Sequence, residues 1–205
     1  MLRRILVSTS VAATVLAVSA MVLVATGGAA QGTLSVEVAE TGSRFVPGAT
    51  PVDADGNPTR GNFFVTEGYI YEPGTLTCAD DACNGVIYDE AGIASPEFPD
   101  AVIGTWTCYG THTEDSATTT TGSIVVTTQV FDFGDGAGED TIVTSGMEFI
   151  DVGLPVSRAV IGGTGQYVGV AGVQQHTLLG FNNTELVMDD IPLFGLAWSV
   201  ELPTG

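Results

Sequence analysis

Arg158-Ala159-Val160-Ile161-Gly162-Gly163-Thr164-Gly165-Gln166-Tyr167-Val168-Gly169-Val170-Ala171-Gly172 decides how the chain is read. The glycines at 162, 163, 165 and 169 invite a nucleotide-binding loop. The spacing fails. A G-x-G-x-x-G run starting at Gly163 needs glycine at position 168, where Val168 stands, and every basic residue is an arginine, so no phosphate-loop lysine exists. No strand–helix alternation surrounds the segment. Gly162, Gly163, Gly165 and Gly169 are therefore read as a structural corner, where the backbone turns sharply or approaches a neighbour closely.

Outward from the corner the chain alternates. Val156–Ile161 and Ala171–Leu179 flank it as strands, and Val102–His112, Gly122–Phe133 and Thr141–Ile150 precede it. Near the C-terminus Phe194, Leu196, Trp198, Val200 and Leu202 alternate with Gly195, Ala197, Ser199 and Glu201. Near the N-terminus Leu34, Val36 and Val38 alternate with Ser35, Glu37 and Ala39. A period of two marks strands with one buried face. Asn62–Glu72 is rich in β-branched and aromatic residues. Glu40–Arg60 and Ala91–Asp100, with their prolines and glycines, read as loops, and Leu76–Tyr88 as a short strand with a polar excursion. No stretch after residue 30 carries a 3.6-residue period. The expected fold is all-β: one antiparallel domain of about eight strands, a closed barrel or a sandwich. The acidic turn Gly134–Asp140 is expected at a hairpin tip in solvent.

The corner segment resembles the Arg-Ala-Val-x-Gly-Gly-Thr-Gly-x-Tyr-x-Gly segment of the allene oxide cyclase/dirigent barrel superfamily. The resemblance is nearest to secreted bacterial proteins with an allene oxide cyclase barrel-like domain. Tyr71-Glu-Pro-Gly-Thr-Leu76, Gly104-Thr-Trp-Thr-Cys108, Thr128-Gln-Val-Phe131 and Gly180-Phe-Asn-Asn-Thr184 match in the same order, covering roughly 62–202. The resemblance implies an eight-stranded antiparallel β-barrel with an apolar lumen, a small lipophilic or phenolic ligand, and a homo-oligomer, since plant relatives form trimers. The plant proteins' catalytic carboxylate and tyrosine positions lie outside these pieces and have no counterpart assignable here. Residues 62–205 are expected to be the barrel domain, with 31–61 an N-terminal strand and Pro/Gly-rich loop, part of the barrel or packed on it.

Charge narrows the partners. The chain has 205 residues, 24 Asp+Glu and 5 Lys+Arg, for a net charge of −19. Arg44, Arg60 and Arg158 are scattered, so no basic surface for nucleic acid or anionic lipid can form. Arg3 and Arg4 open a segment that is apolar from Ile5 to Val24 and small-residued from Ala25 to Ala30. Residues 1–30 are expected to be a secretory signal peptide cut before Gln31. An uncleaved anchor is the rival reading, because about 20 apolar residues can span a bilayer. No other segment is long enough to span, and the expected location is extracytoplasmic. Disulfides persist there. A local Cys78–Cys83 bridge is preferred, with Cys108 a buried thiol; the alternative joins Cys78 or Cys83 to Cys108.

No cofactor motif is read and no metal is expected. Cys78-x-x-x-x-Cys83 is a poor zinc spacing. Asp53 and Asp55 start an oxygen-rich loop, but the EF-hand position that needs glutamate is Phe64. Asp132 and Asp135 sit in an acidic turn that could attract calcium, although Asp and Gly simply make good turns. His112 and His176 lie near expected strand ends, where solvated side chains are the ordinary reading, and no Gly-x-Ser-x-Gly elbow accompanies them.

Candidate chemistry rests on Glu67 and Glu148, which stand inside apolar strands, and on Arg158. A carboxyl in a dry barrel has a raised pKa and can exchange a proton. An arginine there could hold a fatty-acid-like carboxylate. Outward solvation or a structural ion pair, with Glu148 as the natural partner of Arg158, is the competing reading. Tyr69, Trp106, Tyr109, Phe131 and Phe133 are candidate ligand-binding residues, either lining the lumen or packing the outer layer. Two functions follow. One is a secreted barrel that binds a small apolar molecule in its lumen and guides its cyclisation or coupling, isomerase/cyclase-like or dirigent-like if an enzyme. The other is a non-catalytic extracellular structural or interaction protein with a filled barrel. A cavity above about 300 Å³ separates them.

Overall fold

In chain order the strands are β1 (Thr33–Phe45), β2 (Phe63–Tyr71), β3 (Cys78–Ala79), β4 (Ala82–Cys83), β5 (Val86–Tyr88), β6 (Ala94–Pro96), β7 (Val102–His112), β8 (Ser123–Asp132), β9 (Thr141–Phe149), β10 (Pro155–Gly163), β11 (Gly172–Met188) and β12 (Ile191–Pro203). They come from a computed structural model that describes residues 32–45, 52–188 and 191–205, with side chains described at 32–42, 52–182 and 195–205. The signal-peptide expectation for 1–30 lies outside the described residues.

Eight strands pair in the order β10-β9-β8-β7-β2-β1-β12-β11, and β10 pairs with β11 to close the ring. All eight contacts are antiparallel. Closure leaves no free edge among these strands. The result is the eight-stranded antiparallel barrel that the alternation and the resemblance imply. β7, β8 and β9 are consecutive neighbours, and the acidic turn between β8 and β9 is largely exposed. The N-terminal strand is integral: β1 lies between β2 and β12.

The loop expected from Glu40 is corrected. β1 runs on to Phe45 through a register shift between Glu40 and Ser43, with Gly42 at φ 109°. A bulge adds a residue without ending the strand. The corner does what its glycines permit. Gly165 has φ 56°, and a Cβ there would collide with the Glu139 carbonyl; a Cβ on Gly163 would lie 2.5 Å from the Thr141 carbonyl. The corner thus folds directly against the β8–β9 turn.

Alternation sends one face of each strand into the lumen and the other outward. Toward the end that carries the corner and the acidic turn, Trp106, Phe131, Ile142, Val160, Val170 and Leu202 fill the lumen with their own side chains. The excursion between β2 and β7 packs outside. Leu76, Cys83 and Val86 cover Ala39, Tyr71 and Ala197 in a second, smaller core. A Cys78–Cys83 disulfide ties the β3–β4 hairpin, as preferred from the sequence, and β4 pairs with β11 through Ala82 and Phe181. The disulfide is compatible with an extracytoplasmic location, and among the described residues no helix is long and apolar enough to cross a membrane.

Candidate functional site: a cavity at the open end of the barrel

Opposite the filled end the lumen widens into a cavity of about 460 Å³. Phe64, Val125, Leu196 and Trp198 supply its inner walls, and Ile124, Phe149, Ile150 and Phe181 its upper rim. Two loops border the mouth: Gly56–Pro58, and the segment holding Ser116, Thr119 and Thr120. They are tied together. The Ser116 amide donates to the Pro58 carbonyl at 3.0 Å, and Arg60 meets Glu114 at 2.8 Å.

Glu40 reaches the cavity and is 2% exposed. Among the described residues its neighbours supply donors but no cation. Trp198 Nε1 donates to Glu40 Oε1 at 2.8 Å, and Thr66 Oγ1 lies 3.4 Å from Oε2. Burial pushes the Glu40 carboxyl up to about 8, the charge of Glu148 adds to the rise, and the Trp198 and Thr66 hydrogen bonds oppose it. Glu40 is therefore mostly protonated at neutral pH.

Below the cavity lies a buried polar layer. Glu148 Oε1 accepts from Thr127 Oγ1 at 2.6 Å and from Gln129 Nε2 at 2.7 Å, and pairs with Arg158 Nη1 at 3.3 Å. Arg158 also donates to the Thr127 and Met147 carbonyls and to Thr127 Oγ1. Gln174 donates to Gln129. Burial pulls Arg158 below its ordinary value while Glu148 holds it up. Arg158 is thus committed to protein acceptors, the structural ion pair, and offers no free fork for a fatty-acid carboxylate. Cys108, the buried thiol, sits 3.6 Å from Glu148, and burial raises its pKa well above the ordinary value.

Both histidines are buried, which corrects the solvated reading. His112 lines the cavity, with Ser116 Oγ 3.1 Å from Nδ1. His176 stacks on Trp198 with ring centroids 4.8 Å apart. Burial pushes each down to about 4, so both are neutral at pH 7.

The remaining candidates separate. Glu67 is exposed on the outer face of β2, and Tyr109 is 43% exposed on the outer face of β7, so neither lines the lumen. Each is one residue out of phase with the inward set. Tyr69 also faces out, against the smaller core, where its hydroxyl donates to the Ala94 carbonyl. Trp106 and Phe131 are in the lumen, but in the filled end, and Phe133 packs beside Tyr167 there. Asp53 accepts from the Asp55 and Asn57 amides, Asp132 from the Gly134 and Gly138 amides, and Asp135 from the Ala137 amide. Among the described residues no group of three or more His, Cys, Asp or Glu could hold a metal ion.

Sequence reasoning missed Glu40, Thr66 and Phe64 as site residues, and named Trp198 only as part of a strand. The missed signal is simple: Val36, Val38 and Glu40 continue one alternation, so Glu40 shares their inward face.

No family model matches the chain, and no curated protein matches it. Among solved structures it is similar to a pyocyanin demethylase at 12% identity and TM-score 0.44, covering 80% of this chain and 98% of that one. It is similar to a pterocarpan synthase dirigent protein at 14% identity and TM-score 0.48, covering 85% and 95%. An exo-specific intermolecular Diels-Alderase matches at 13% identity and TM-score 0.40, covering 84% and 99%.

Proposed function

We propose that this protein is a secreted barrel that binds one small, largely apolar molecule in its open-end cavity, with Glu40 as the polar group that orients the molecule and exchanges a proton with it. The observation that carries this reading is the juxtaposition of a cavity of about 460 Å³ with a buried carboxyl at its inner end. That volume lies within the range of about 300–1,000 Å³ in which small-molecule sites fall. A protonated carboxyl in such a place can donate to a ligand oxygen or nitrogen and take the proton back. Apolar walls hold the ligand in one geometry, so a cyclisation or coupling of a reactive intermediate proceeds from a single conformer.

The filled half of the lumen favours a second reading, a non-catalytic extracellular scaffold. Native mass spectrometry of the secreted protein separates the two. A small molecule that co-purifies with the wild type, and is lost when Leu196→Trp fills the cavity, supports ligand binding. A clean apo mass, together with no uptake of added apolar molecules, supports the scaffold.

A further inference from the structure

We infer that the ligand carries a positively charged or protonatable nitrogen, which docks on the Glu40 carboxyl inside the aromatic cavity. This rests on the cavity-binding reading and deepens it. The first argument is that no arginine stands among the described side chains lining the cavity, so an anion finds no cationic partner there. Arg158 lies outside that lining and commits both Nη groups to Glu148, Thr127 and the Met147 carbonyl, and the exposed Arg60 pairs with Glu114. An acidic ligand would instead meet two carboxyls, Glu40 and Glu148, both of which line the cavity. The second is the wall chemistry. Phe64, Phe149, Phe181 and Trp198 place aromatic side chains around the same space, and a cation over an aromatic face is attracted by the ring quadrupole, more strongly when desolvated. The third is long-range. A chain with net charge −19 draws cations toward its clefts and repels anions.

Glu40 suits this role because its charge is conditional. Empty, the buried carboxyl is neutral. When an ammonium group enters, the opposite charge favours the carboxylate, and the Trp198 and Thr66 donors already point at its oxygens. The proton balance is simple. An ammonium ligand displaces the Glu40 proton to solvent, one per molecule bound; a free amine receives that proton itself. Other groups bear on the titration: Thr66 from β2, Trp198 from β12, Cys108 and neutral His112 from β7, Glu148 from β9, Arg158 from β10 and neutral His176 from β11. Glu148 and Arg158 form a pair of opposite charges, so Glu40 is the carboxyl left to compensate a ligand cation.

The test uses three probes of one shape: 2-naphthylmethylamine, 2-naphthalenemethanol and 2-naphthoate. Each is titrated into the full protein by calorimetry at pH 7, in two buffers of different ionisation enthalpy. The expected result is that the amine binds at least about tenfold tighter than either counterpart and releases close to one proton per molecule. Glu40→Gln should abolish both the preference and the proton release while the alcohol still binds. Glutamine is isosteric with the protonated carboxyl, so the fold is kept, and proton release by the wild type stands as a readout that needs no variant. Binding of the alcohol or the naphthoate as tight as the amine overturns this inference and leaves the cavity reading standing. Binding of none of the three overturns both.

Discussion

The Trp198 indole donates to the Glu40 carboxyl at 2.8 Å across 158 positions of sequence, joining the first barrel strand to the last. The two residues meet because β1 and β12 are neighbours in register, Val38 opposite Trp198. The bond holds a protonated carboxyl at the cavity.

Stability should peak near pH 6.5. Folded Glu40 has its carboxyl raised from 4.5 to about 8, so it binds a proton that the unfolded chain has lost. Its stabilisation is fully present below pH 4.5 and is lost as pH rises toward 8. His112 and His176 act oppositely: lowered from 6.5 to about 4, they contribute stability above 6.5 that is lost as pH falls through 4. Between pH 6.5 and 8 the Glu40 decline therefore stands alone. Urea unfolding across this window should show it for the wild type, and Glu40→Gln should flatten it. The full shift corresponds to about 4–5 kcal/mol. An identical pH profile for the variant would place the ionisation elsewhere.

Arg158→Ala should cost about 3–5 kcal/mol, because it strands Glu148 in the polar layer without its counter-charge. Adding Glu148→Gln should recover part of that loss by removing the uncompensated charge. Denaturant midpoints of the single and double variants check this; a loss near zero for Arg158→Ala would mean the pair is not buried in solution.

How much of this was legible depends on contrast between faces. Leu196 to Leu202 alternates large apolar with small or polar residues, so the inward face of β12 is plain in the sequence. In β11 the inward Gln174 and His176 alternate with Gln175 and Thr177. Both faces are polar, and the phase is invisible without the neighbouring strands. Glu67 shows the opposite trap: an acid within an apolar stretch, but on the outward phase of β2. Glu40 was obscured by the polar residues after it, which mimic a loop where the strand only bulges. The Gly162–Gly169 corner was readable because its glycines answer to backbone sterics, which are local.

Gly165→Ala should destabilise the protein by at least about 1–3 kcal/mol, the range for a strained non-glycine backbone. Its φ is 56°, and the added methyl would press on the Glu139 carbonyl. Thermal unfolding measures the effect, with Gly136→Ala as comparison: that glycine has positive φ but open space around it. Equal losses at both sites would show that the corner does not press against the acidic turn.

Reducing the Cys78–Cys83 bridge should cost no more than about 2 kcal/mol, since it closes a short loop. Cys108 should resist alkylation until the barrel unfolds, because its thiol is buried. Non-reducing peptide mapping with alkylation under native conditions tests both points. A linked peptide containing Cys108 would contradict the pairing.

The most direct test of ligand binding in the lumen is a fluorescence titration with Nile red, a neutral apolar probe, on three proteins. The wild type should bind one molecule saturably. Leu196→Trp, which fills the cavity, should abolish binding. Val126→Trp, on the exposed outer face of β8, should leave it intact. No saturable binding by the wild type, or binding that survives Leu196→Trp, would contradict the assignment of the open-end cavity as the ligand site.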